Sequence, residues 1–541
     1  MLAGTPVILL REGTERAQGR EAQKEIIAAA RAVAESVRST LGPRGRDKMM
    51  VDSMGDVVIT NDGATILRQM EVQHPAAKML AEVAKAQDQE CGDGTKTSVI
   101  LTGELLHKAE GLMAEKVHPT LITRGYQIAA ERALERLEAV SRPVSERETD
   151  LLEKIAMTSM ISKGVAGYRR DLAGLAVQAV REVLDRVGGR TVFDRRNVQF
   201  VKRQGGEIQD SELLLGHIVE QPAAHPDMPK IVPSAKIALF ESAIEVKKTE
   251  FSAEIRITEA SQMESFLRAE ARQLETMVDA IVRAGANVVF SEKGIDDVAA
   301  EHLAKAGVYA VRRVKRSDLE LLGRATGGRL VARPVDLEHA DLGAAGRVEE
   351  RKIGDDRLTL VTGCPHAKAV TVLIRGGTQH VVDEVERSLN DAVMTVGIAL
   401  EDGRIVTGAG AAAVELSLYL RELAPTVGGR EQMAVEAFAD ALEIVPLTLA
   451  ENAGMDTIDT LIELRRQHKG GSPHAGVNVL EGRVSDMAEV AVEPIRVSRQ
   501  ILRGAVETST MLLRIDDVIS SKRSASPTSE AKPSPSGEEF A

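Results

Sequence analysis

Apolar residues recur every three or four positions along much of the first 140 residues, the spacing of helices that bury one face. The pattern predicts helices over 24–38, 76–86, 97–115 and 119–140. An apolar run at 48–52 and a second at 57–60 flank a turn, so together they predict a β-hairpin. The N-terminal part of the chain is therefore expected to be mostly helical.

The middle of the chain alternates short apolar runs with helical patterns. The runs predict strands at 236–241, 286–291, 307–314, 329–331 and 370–375. Apolar residues from Met263 to Ile281 predict a long helix, whose many charged residues indicate that part of it projects into solvent. Helical periodicity returns over 380–400 and 411–423. This pattern is typical of an α/β region inserted between two helical ends.

Length and composition narrow the possible functions. A chain of 541 residues exceeds one compact core and predicts two to four domains. Its net charge is -12, and it has four Tyr, eight Phe and no Trp. Neither a basic field nor a set of aromatic stacking platforms is present, so nucleic acid is not an expected partner.

The sequence also indicates a location. Cys91 and Cys364 are the only cysteines and lack metal-site spacing, which suits a reducing compartment. No run approaches the roughly eighteen apolar residues of a membrane helix, and the start lacks a signal-peptide pattern. We expect a soluble, cytoplasmic protein. Residues 520–541 are rich in Ser and Pro, and we expect this tail to be disordered.

Two Asp-Gly turns, beginning at Asp62 and Asp93, lead directly into helical patterns. Free N–H groups at a helix N-terminus bind anions, and a carboxylate beside a phosphate calls for a hard cation such as Mg²⁺. Thr95 and Thr97 add hydroxyls there, and Lys96 adds a positive charge. Because such turns are also ordinary cap chemistry, a Mg-nucleotide site and a plain turn both stay open. The chain has no P-loop motif.

A glycine cluster at 407–411 meets the G-x-G-x-x-G/A outline of a dinucleotide site, with Ala413 in the third place. That site also needs an acidic residue at the end of a second strand, whereas Glu431 lies in a helical pattern. A tight strand-to-helix turn is therefore favoured over NAD binding.

Several segments together resemble the chaperonin family. They are TLGPRGRDKMMVD (40–52), VITNDGATIL (58–67), HPAAKMLAEVAKAQDQECGDGT (74–95), VTGAGAAAVELSLYL (406–420), AENAGMDTID (450–459) and GVNVLEGRVSDM (476–487). Middle segments such as VKKTEFSAEIRIT (246–258) are similar to group II, thermosome-type chaperonins rather than to the bacterial type with a separate co-chaperonin lid. The resemblance extends to about residue 518. The Arg and Ala content and the tail leave open an archaeal-type chaperonin carried by a bacterium.

This resemblance implies a multidomain α/β fold with three domains: a mostly helical equatorial ATPase domain, an α/β intermediate domain, and an α/β apical domain whose helical protrusion is a built-in lid. The implied boundaries are equatorial 1–142, intermediate 143–213, apical 214–364 with the protrusion near 246–281, intermediate 365–402, equatorial 403–519 and tail 520–541.

The resemblance also implies roles for individual residues. Asp62 and Asp391 match the acids that orient or deprotonate the attacking water, and Asp93 matches the Mg²⁺ ligand. Residues matching the nucleotide contacts are Leu41, Gly42, Pro43, Gly94, Thr95, Lys96, Thr97, Ser162, Lys163, Gly408, Gly410, Asn478 and Glu493. Lys96 departs from the family pattern, which usually has a small hydroxyl residue there.

The implied function is ATP-dependent folding of non-native polypeptides inside a chamber of two stacked rings, each with about eight subunits and no separate lid. The implied cofactors are ATP or ADP with Mg²⁺. One alternative is a ring scaffold or holdase that binds unfolded protein without productive hydrolysis. The other is a dinucleotide-dependent oxidoreductase.

Overall fold

The computed structural model describes residues 14–51, 55, 57–70, 72, 74–164, 166–246, 260–354, 356–365 and 369–521. Of the segment expected to form the lid, residues 247–259 lie outside this part of the chain. The tail from residue 522 onward also lies outside it. Residues 520 and 521, assigned to the tail from sequence, instead end a β-strand that pairs with residues 14 and 15.

Helices dominate the two ends of the chain. In the described residues they are α1 (Gly19–Arg38), α2 (Gly63–Gln69), α3 (Pro75–Cys91), α4 (Thr95–Ala114), α5 (Pro119–Val140), α6 (Thr149–Ser159), α7 (Arg169–Val183), α8 (Ala260–Ala284), α9 (Asp297–Lys305), α10 (Arg316–Thr326), α11 (Gln379–Asp402), α12 (Ala411–Val427), α13 (Gly429–Leu442), α14 (Ile444–Asn452), α15 (Thr457–Lys469) and α16 (Ile495–Leu513).

Most strands lie in the middle of the chain. They are β1 (Thr14–Gln18), β2 (Lys48–Val51), β3 (Val57–Thr60), β4 (Arg142–Pro143), β5 (Asp185–Val187), β6 (Arg190–Val192), β7 (Val198–Gln204), β8 (Glu212–Leu214), β9 (Gly216–Val219), β10 (Ile231–Phe240), β11 (Val288–Ser291), β12 (Tyr309–Val311), β13 (Leu330–Val331), β14 (Gly343–Ile353), β15 (Asp356–Thr362), β16 (Val370–Gly376), β17 (Arg404–Thr407), β18 (Ala475–Asn478), β19 (Arg483–Asp486), β20 (Val492–Pro494) and β21 (Asp517–Ser521).

The two ends of the chain share one hydrophobic core. Helices α4 and α5 pack against α13 and α16, and β1 pairs antiparallel with β21. Tyr126 and Phe438 meet edge to face in this core, with ring centroids 5.7 Å apart. The buried Tyr126 hydroxyl donates a hydrogen bond to the carbonyl oxygen of Leu105 at 2.8 Å, so its polar end is satisfied. The predicted hairpin is β2–β3.

A second core joins segments from both sides of the insertion. Helices α6 and α7 pack against α11, and a three-stranded sheet in the order β7-β16-β8 completes the layer. Strand β16 runs parallel to β7 and antiparallel to β8. Because α11 continues to β17 of the helical end, it connects this core directly to the first one.

The third core surrounds a mixed sheet in the order β12-β11-β10-β14-β15-β9, with β13 beside β10. Its parallel strands are the ones that the sequence pattern predicts. The pattern missed β14, because its buried residues Ala345, Val348 and Ile353 do not alternate along the strand. No helix in the described ranges is long and apolar enough to cross a membrane.

Candidate functional site

A pocket lies between the helical core and the loop that follows α6. The sequence-predicted residues that line it are Leu41, Gly42, Pro43, Asp93, Gly94, Lys96, Thr97, Ser162, Gly408, Gly410, Asn478 and Glu493. Asp62, Thr95, Lys163 and Asp391 do not line the pocket, and their contacts place them beside it. The pocket lining thus brings together sequence-predicted residues from six separate stretches of the chain, and Asp62 and Asp391 beside it come from two more.

Two helices begin at this pocket from left-handed glycines. Gly94 precedes α4 and Gly410 precedes α12, each with φ of 81°. Residues other than glycine rarely adopt that backbone conformation, and a Cβ on Gly410 would lie 2.8 Å from the Cβ of Pro446. Neither helix has a side-chain cap at its first turn, so backbone N–H groups remain to bind an anion.

Asp62 and Asp93 stand at the starts of α2 and α4. Asp62 caps α2 by accepting a hydrogen bond from the Thr65 N–H at 2.8 Å, and Asp93 Oδ1 accepts one from the Gly94 N–H at 2.6 Å. Burial raises the pKa of Asp93. Burial also opposes ionisation of Asp62, but the Lys163 charge and the Thr65 bonds outweigh it and lower its pKa.

Asp391 projects from the middle of α11 and is buried. The Lys163 ammonium contacts its Oδ2 atom and also the Arg387 carbonyl oxygen at 3.5 Å. Burial, together with the charges of Asp62 and Asp93, raises the pKa of Asp391 to about 7 against the lowering effect of Lys163. A carboxyl group with a pKa near neutrality is suited to exchange a proton with water.

Asn478 and Glu493 also line the pocket. Asn478 donates to Ser485 Oγ at 3.2 Å and accepts from the Glu481 N–H at 3.2 Å, which fixes its amide. Glu493 accepts a hydrogen bond from Ser498 Oγ at 2.5 Å, and burial raises its pKa to about 7. The apolar part of the pocket lining includes Leu480, together with Leu449 beside Gly42 and Ile501 beside Gly94.

The glycine turn at 408–410 does not have the setting of a dinucleotide fingerprint. Strand β17, which leads into it, lies between β20 and β4, and both neighbours are antiparallel to it. A dinucleotide site of that kind needs parallel strands joined by the helix. The favoured interpretation, a tight strand-to-helix turn, agrees with this geometry.

Sequence reasoning missed Gln87 and Ser498. The buried Gln87 Nε2 donates to the carbonyl oxygen of Asp93 at 2.8 Å and reaches that of Val497 at 3.5 Å, so it holds the Asp93 turn against α16. Gln87 lies on α3, six residues before Asp93 in the segment AQDQECGDGT. This short distance along the chain was the available signal that Gln87 supports the Asp93 turn.

The TCP-1/cpn60 chaperonin family model matches residues 33–523. The chain belongs to this family. The chaperonin is 54% identical over 522 residues to the thermosome subunit beta of Archaeoglobus fulgidus, covering 96% of each chain. It is 53% identical over 525 residues to a thermosome subunit of Methanopyrus kandleri, again covering 96% of each.

The chain is also similar to a chaperonin whose structure has been solved. The open-state monomer of a group II chaperonin from Methanococcoides burtonii is similar at 43% identity with a TM-score of 0.61, covering 78% of this chain and 100% of that one. The chain is thus a group II chaperonin subunit with an ATPase activity coupled to protein folding, and it works in an oligomeric ring that binds client proteins. The resemblance inferred from sequence is confirmed.

Proposed function

We propose that the pocket binds Mg-ATP and that its hydrolysis drives a folding chamber built from two stacked rings of this chaperonin, with about eight subunits in each. The observation that carries the proposal is the convergence of Asp62, Asp93 and Asp391 with two lysines beside two open helix N-termini. Asp62 raises the pKa of Asp93, and both of these acids raise the pKa of Asp391, so the three share one electrostatic environment.

The phosphates would lie on the Leu41–Pro43 loop and the start of α4. The uncapped first turn of α4 offers backbone N–H groups there, and Thr95 and Thr97 add hydroxyls. The ribose and base would lie at the other end, along Gly408 and Gly410, with Asn478 near the base and Glu493 accepting a ribose hydroxyl. Leu480, two residues after Asn478, lines the pocket and supplies apolar surface suited to the flat face of a purine.

Asp93 fits the role of Mg²⁺ ligand. Its carboxyl lines the pocket, and the unfavourable burial that raises its pKa would be offset by a cation. The described ranges hold no cluster of three or more His, Cys, Asp and Glu residues suited to a metal, so the protein would supply few ligands. That fits Mg²⁺, which is usually held by one or two carboxylates together with phosphates and water. When bound, Mg²⁺ supplies positive charge that neutralises the phosphates.

Asp62 and Asp391 would orient and deprotonate the attacking water. Asp391 is the base, because its pKa near 7 lets it accept a proton at neutral pH and release it afterwards. Asp62, held ionised, orients the water. Ser162 and Lys163 would sense the γ-phosphate, since the pocket is lined by Ser162 and Lys163 already contacts Asp391.

The three largest hydrophobic cores support the domain boundaries proposed from sequence, with the equatorial domain at 1–142 and 403–519, the intermediate domain at 143–213 and 365–402, and the apical domain at 214–364. A small fourth core, in which Val201 and Leu373 meet Ile218 and Leu358, joins the intermediate and apical parts. Asp391 lies on the intermediate part of α11. A movement of that domain would therefore change how closely Asp391 approaches the pocket.

A contact between neighbouring subunits is supported by the β2–β3 hairpin. Met49 and Val51 are 67% and 63% exposed, and Ile59 on the facing strand is 56% exposed. A two-stranded ribbon with exposed apolar side chains is marginal alone and is stabilised by a partner.

Clients would bind apical apolar surface, and the lid would be part of the same chain. Because Cys91 and Cys364 are both buried free thiols, we also propose a cytoplasmic location.

The test is Mg-dependent ATP hydrolysis by the purified full chain beside Asp62→Ala and Asp391→Ala, with particle images of each sample. Asp383→Ala is the matched control for Asp391→Ala, because Asp383 also lies on α11 and pairs with Lys202 at the surface. We expect rings in all four samples and hydrolysis only in the parent and the control. Rings without hydrolysis by the parent would instead favour the holdase alternative.

A further inference from the structure

Lys96, the residue that departs from the family pattern, lies in an unusual setting. It is the second residue of α4 and lines the pocket. Its side chain passes Gly63, where a Cβ would lie 2.6 Å from Lys96 Cγ. The absence of a side chain at Gly63 thus leaves the passage through which the ammonium reaches its position.

The ammonium is surrounded by oxygen atoms. Nζ lies 3.0 Å from the carbonyl oxygen of Thr40, 3.3 Å from that of Asn61, 2.6 Å from Asn61 Oδ1 and 3.4 Å from Ser162 Oγ. All four oxygens are uncharged, and Nζ has no ion pair within 4.0 Å among the described carboxylates. The cage therefore consists of backbone carbonyl, amide and hydroxyl oxygens.

Such a cage is the environment in which proteins hold a dehydrated monovalent cation, because neutral oxygen dipoles replace its hydration shell. A cation with a single positive charge can be held by these neutral oxygens without a carboxylate ligand. The three oxygen-bearing segments are the loop after α1, the loop before α2 and the loop after α6, so they meet only in the folded chain. The ammonium holds them together at the phosphate end of the pocket.

The charge persists at neutral pH. Burial lowers the pKa of Lys96 to about 8, while the neighbouring carboxylates of Asp62 and Asp93 favour the charged form. A group with that pKa is mostly protonated at pH 7. The ammonium thus places a fixed positive charge close to the acids and to the proposed phosphate position.

We propose that Lys96 is a tethered cation: its ammonium occupies a monovalent-cation position in the nucleotide site, so that the chaperonin needs no alkali ion there. The proposal rests on the nucleotide site proposed above. Replacing Lys96 by threonine would remove the tethered charge, add one hydroxyl oxygen to the edge of the cage, and convert the position into a site for K⁺.

The test compares the parent and Lys96→Thr in chloride salts of K⁺, Na⁺, Li⁺ and N-methylglucamine at equal ionic strength. The parent should hydrolyse ATP at the same rate in every salt. Lys96→Thr should lose at least ~10-fold in N-methylglucamine and recover with K⁺ in a saturable way. Lys96→Met, which adds no oxygen and fills the cage with apolar atoms, should not recover. Lys108→Thr on the same helix is the control, because Lys108 forms a surface ion pair with Glu104.

A second measurement separates this inference from the nucleotide site itself. In the absence of nucleotide, K⁺ should raise the thermal midpoint of Lys96→Thr above its value in N-methylglucamine, and should leave the midpoints of the parent and Lys96→Met unchanged. A parent that depends on K⁺, or a Lys96→Thr variant that ignores K⁺ in the thermal measurement, would overturn the tethered cation. Failure of ATP hydrolysis in the parent would count against the proposed function and leave the thermal result to decide this one.

Discussion

The Lys163 ammonium contacts Asp391 Oδ2, although the two residues are 228 positions apart in the chain. Their side chains are only 7% and 13% exposed. Burial raises the pKa of Asp391, and the Lys163 charge opposes that rise. The proton affinity of the proposed catalytic base therefore depends on a lysine from a different segment.

Replacing Lys163 by glutamine should move the pH dependence of ATP hydrolysis. Without the ammonium the pKa of Asp391 rises further, so the base is protonated over a wider range and the acidic limb of kcat shifts upward by about one pH unit or more. Rates measured between pH 6 and 9 check this. Lys202→Gln is the control, since it breaks a more exposed ion pair with the same helix α11 and should keep the parent's profile. If the acidic limb of the kcat profile does not shift in Lys163→Gln, then Lys163 does not control the pKa of a catalytic Asp391.

Asp391→Asn should abolish turnover while leaving nucleotide affinity nearly intact. Asp391 does not line the pocket, and the amide cannot accept a proton. We expect a loss of at least ~100-fold in single-turnover hydrolysis. Equilibrium binding of a fluorescent ATP analogue provides the comparison. A variant that loses binding as much as hydrolysis would show that Asp391 holds the nucleotide instead of acting on water.

Glu493→Gln should stabilise the nucleotide-free protein only at higher pH. Burial raises the folded-state pKa of Glu493 to about 7, above the usual 4.5. The folded state then retains a proton that the unfolded state has released, so stability falls as pH rises through this window, and the cost is complete above pH 7. The amide removes a cost on the order of 3 kcal/mol.

The apparent thermal midpoint at pH 5 and pH 8 tests the expectation for Glu493. Glutamine should raise it at pH 8 and leave it nearly unchanged at pH 5, while ATP affinity falls because an acceptor for the ribose is weakened. Equal effects at both pH values would mean that the carboxyl is not the source of the pH dependence.

Charges introduced on the hairpin should prevent ring assembly without unfolding the subunit. Val51→Glu and Ile59→Glu place carboxylates on exposed apolar positions of β2 and β3, where a neighbouring subunit would have to bury them. Size-exclusion chromatography with light scattering should show smaller species with unchanged circular dichroism. Val298→Glu, at an exposed position of α9, is the control and should elute with the parent. Intact rings from the hairpin variants would move the contact elsewhere.

Local patterns predicted much of the fold. The β3 bounds Val57–Thr60 and the α5 bounds Pro119–Val140 match the predicted runs, because their periodicity and turn residues act within the segment itself. Strand β14 was missed because its partners β10 and β15, not its own alternation, determine it. The tail prediction was wrong at its first two residues, since residues 520 and 521 gain hydrogen-bonding partners from β1 at the other end of the chain.

Local sequence patterns also predicted only part of the nucleotide pocket. The Asp62 and Asp93 turns are visible in sequence, because each is a local cap before a helix. The resemblance to chaperonins was needed to select Asp391, which is an ordinary helical acid by pattern. The oxygen cage of Lys96 was not predictable, since its ligands come from positions 35, 56 and 66 residues away. Long-range packing alone decides which oxygens face that ammonium.

The most direct test of the account is refolding of a chemically denatured client by the purified chaperonin, with and without ATP, beside Asp391→Ala. The account predicts that ATP raises the yield of active client and protects it from added protease with the parent. Asp391→Ala should bind the client equally well but give no gain with ATP. Equal yields with and without ATP, or a gain that survives in Asp391→Ala, would contradict a chamber driven by hydrolysis at this pocket.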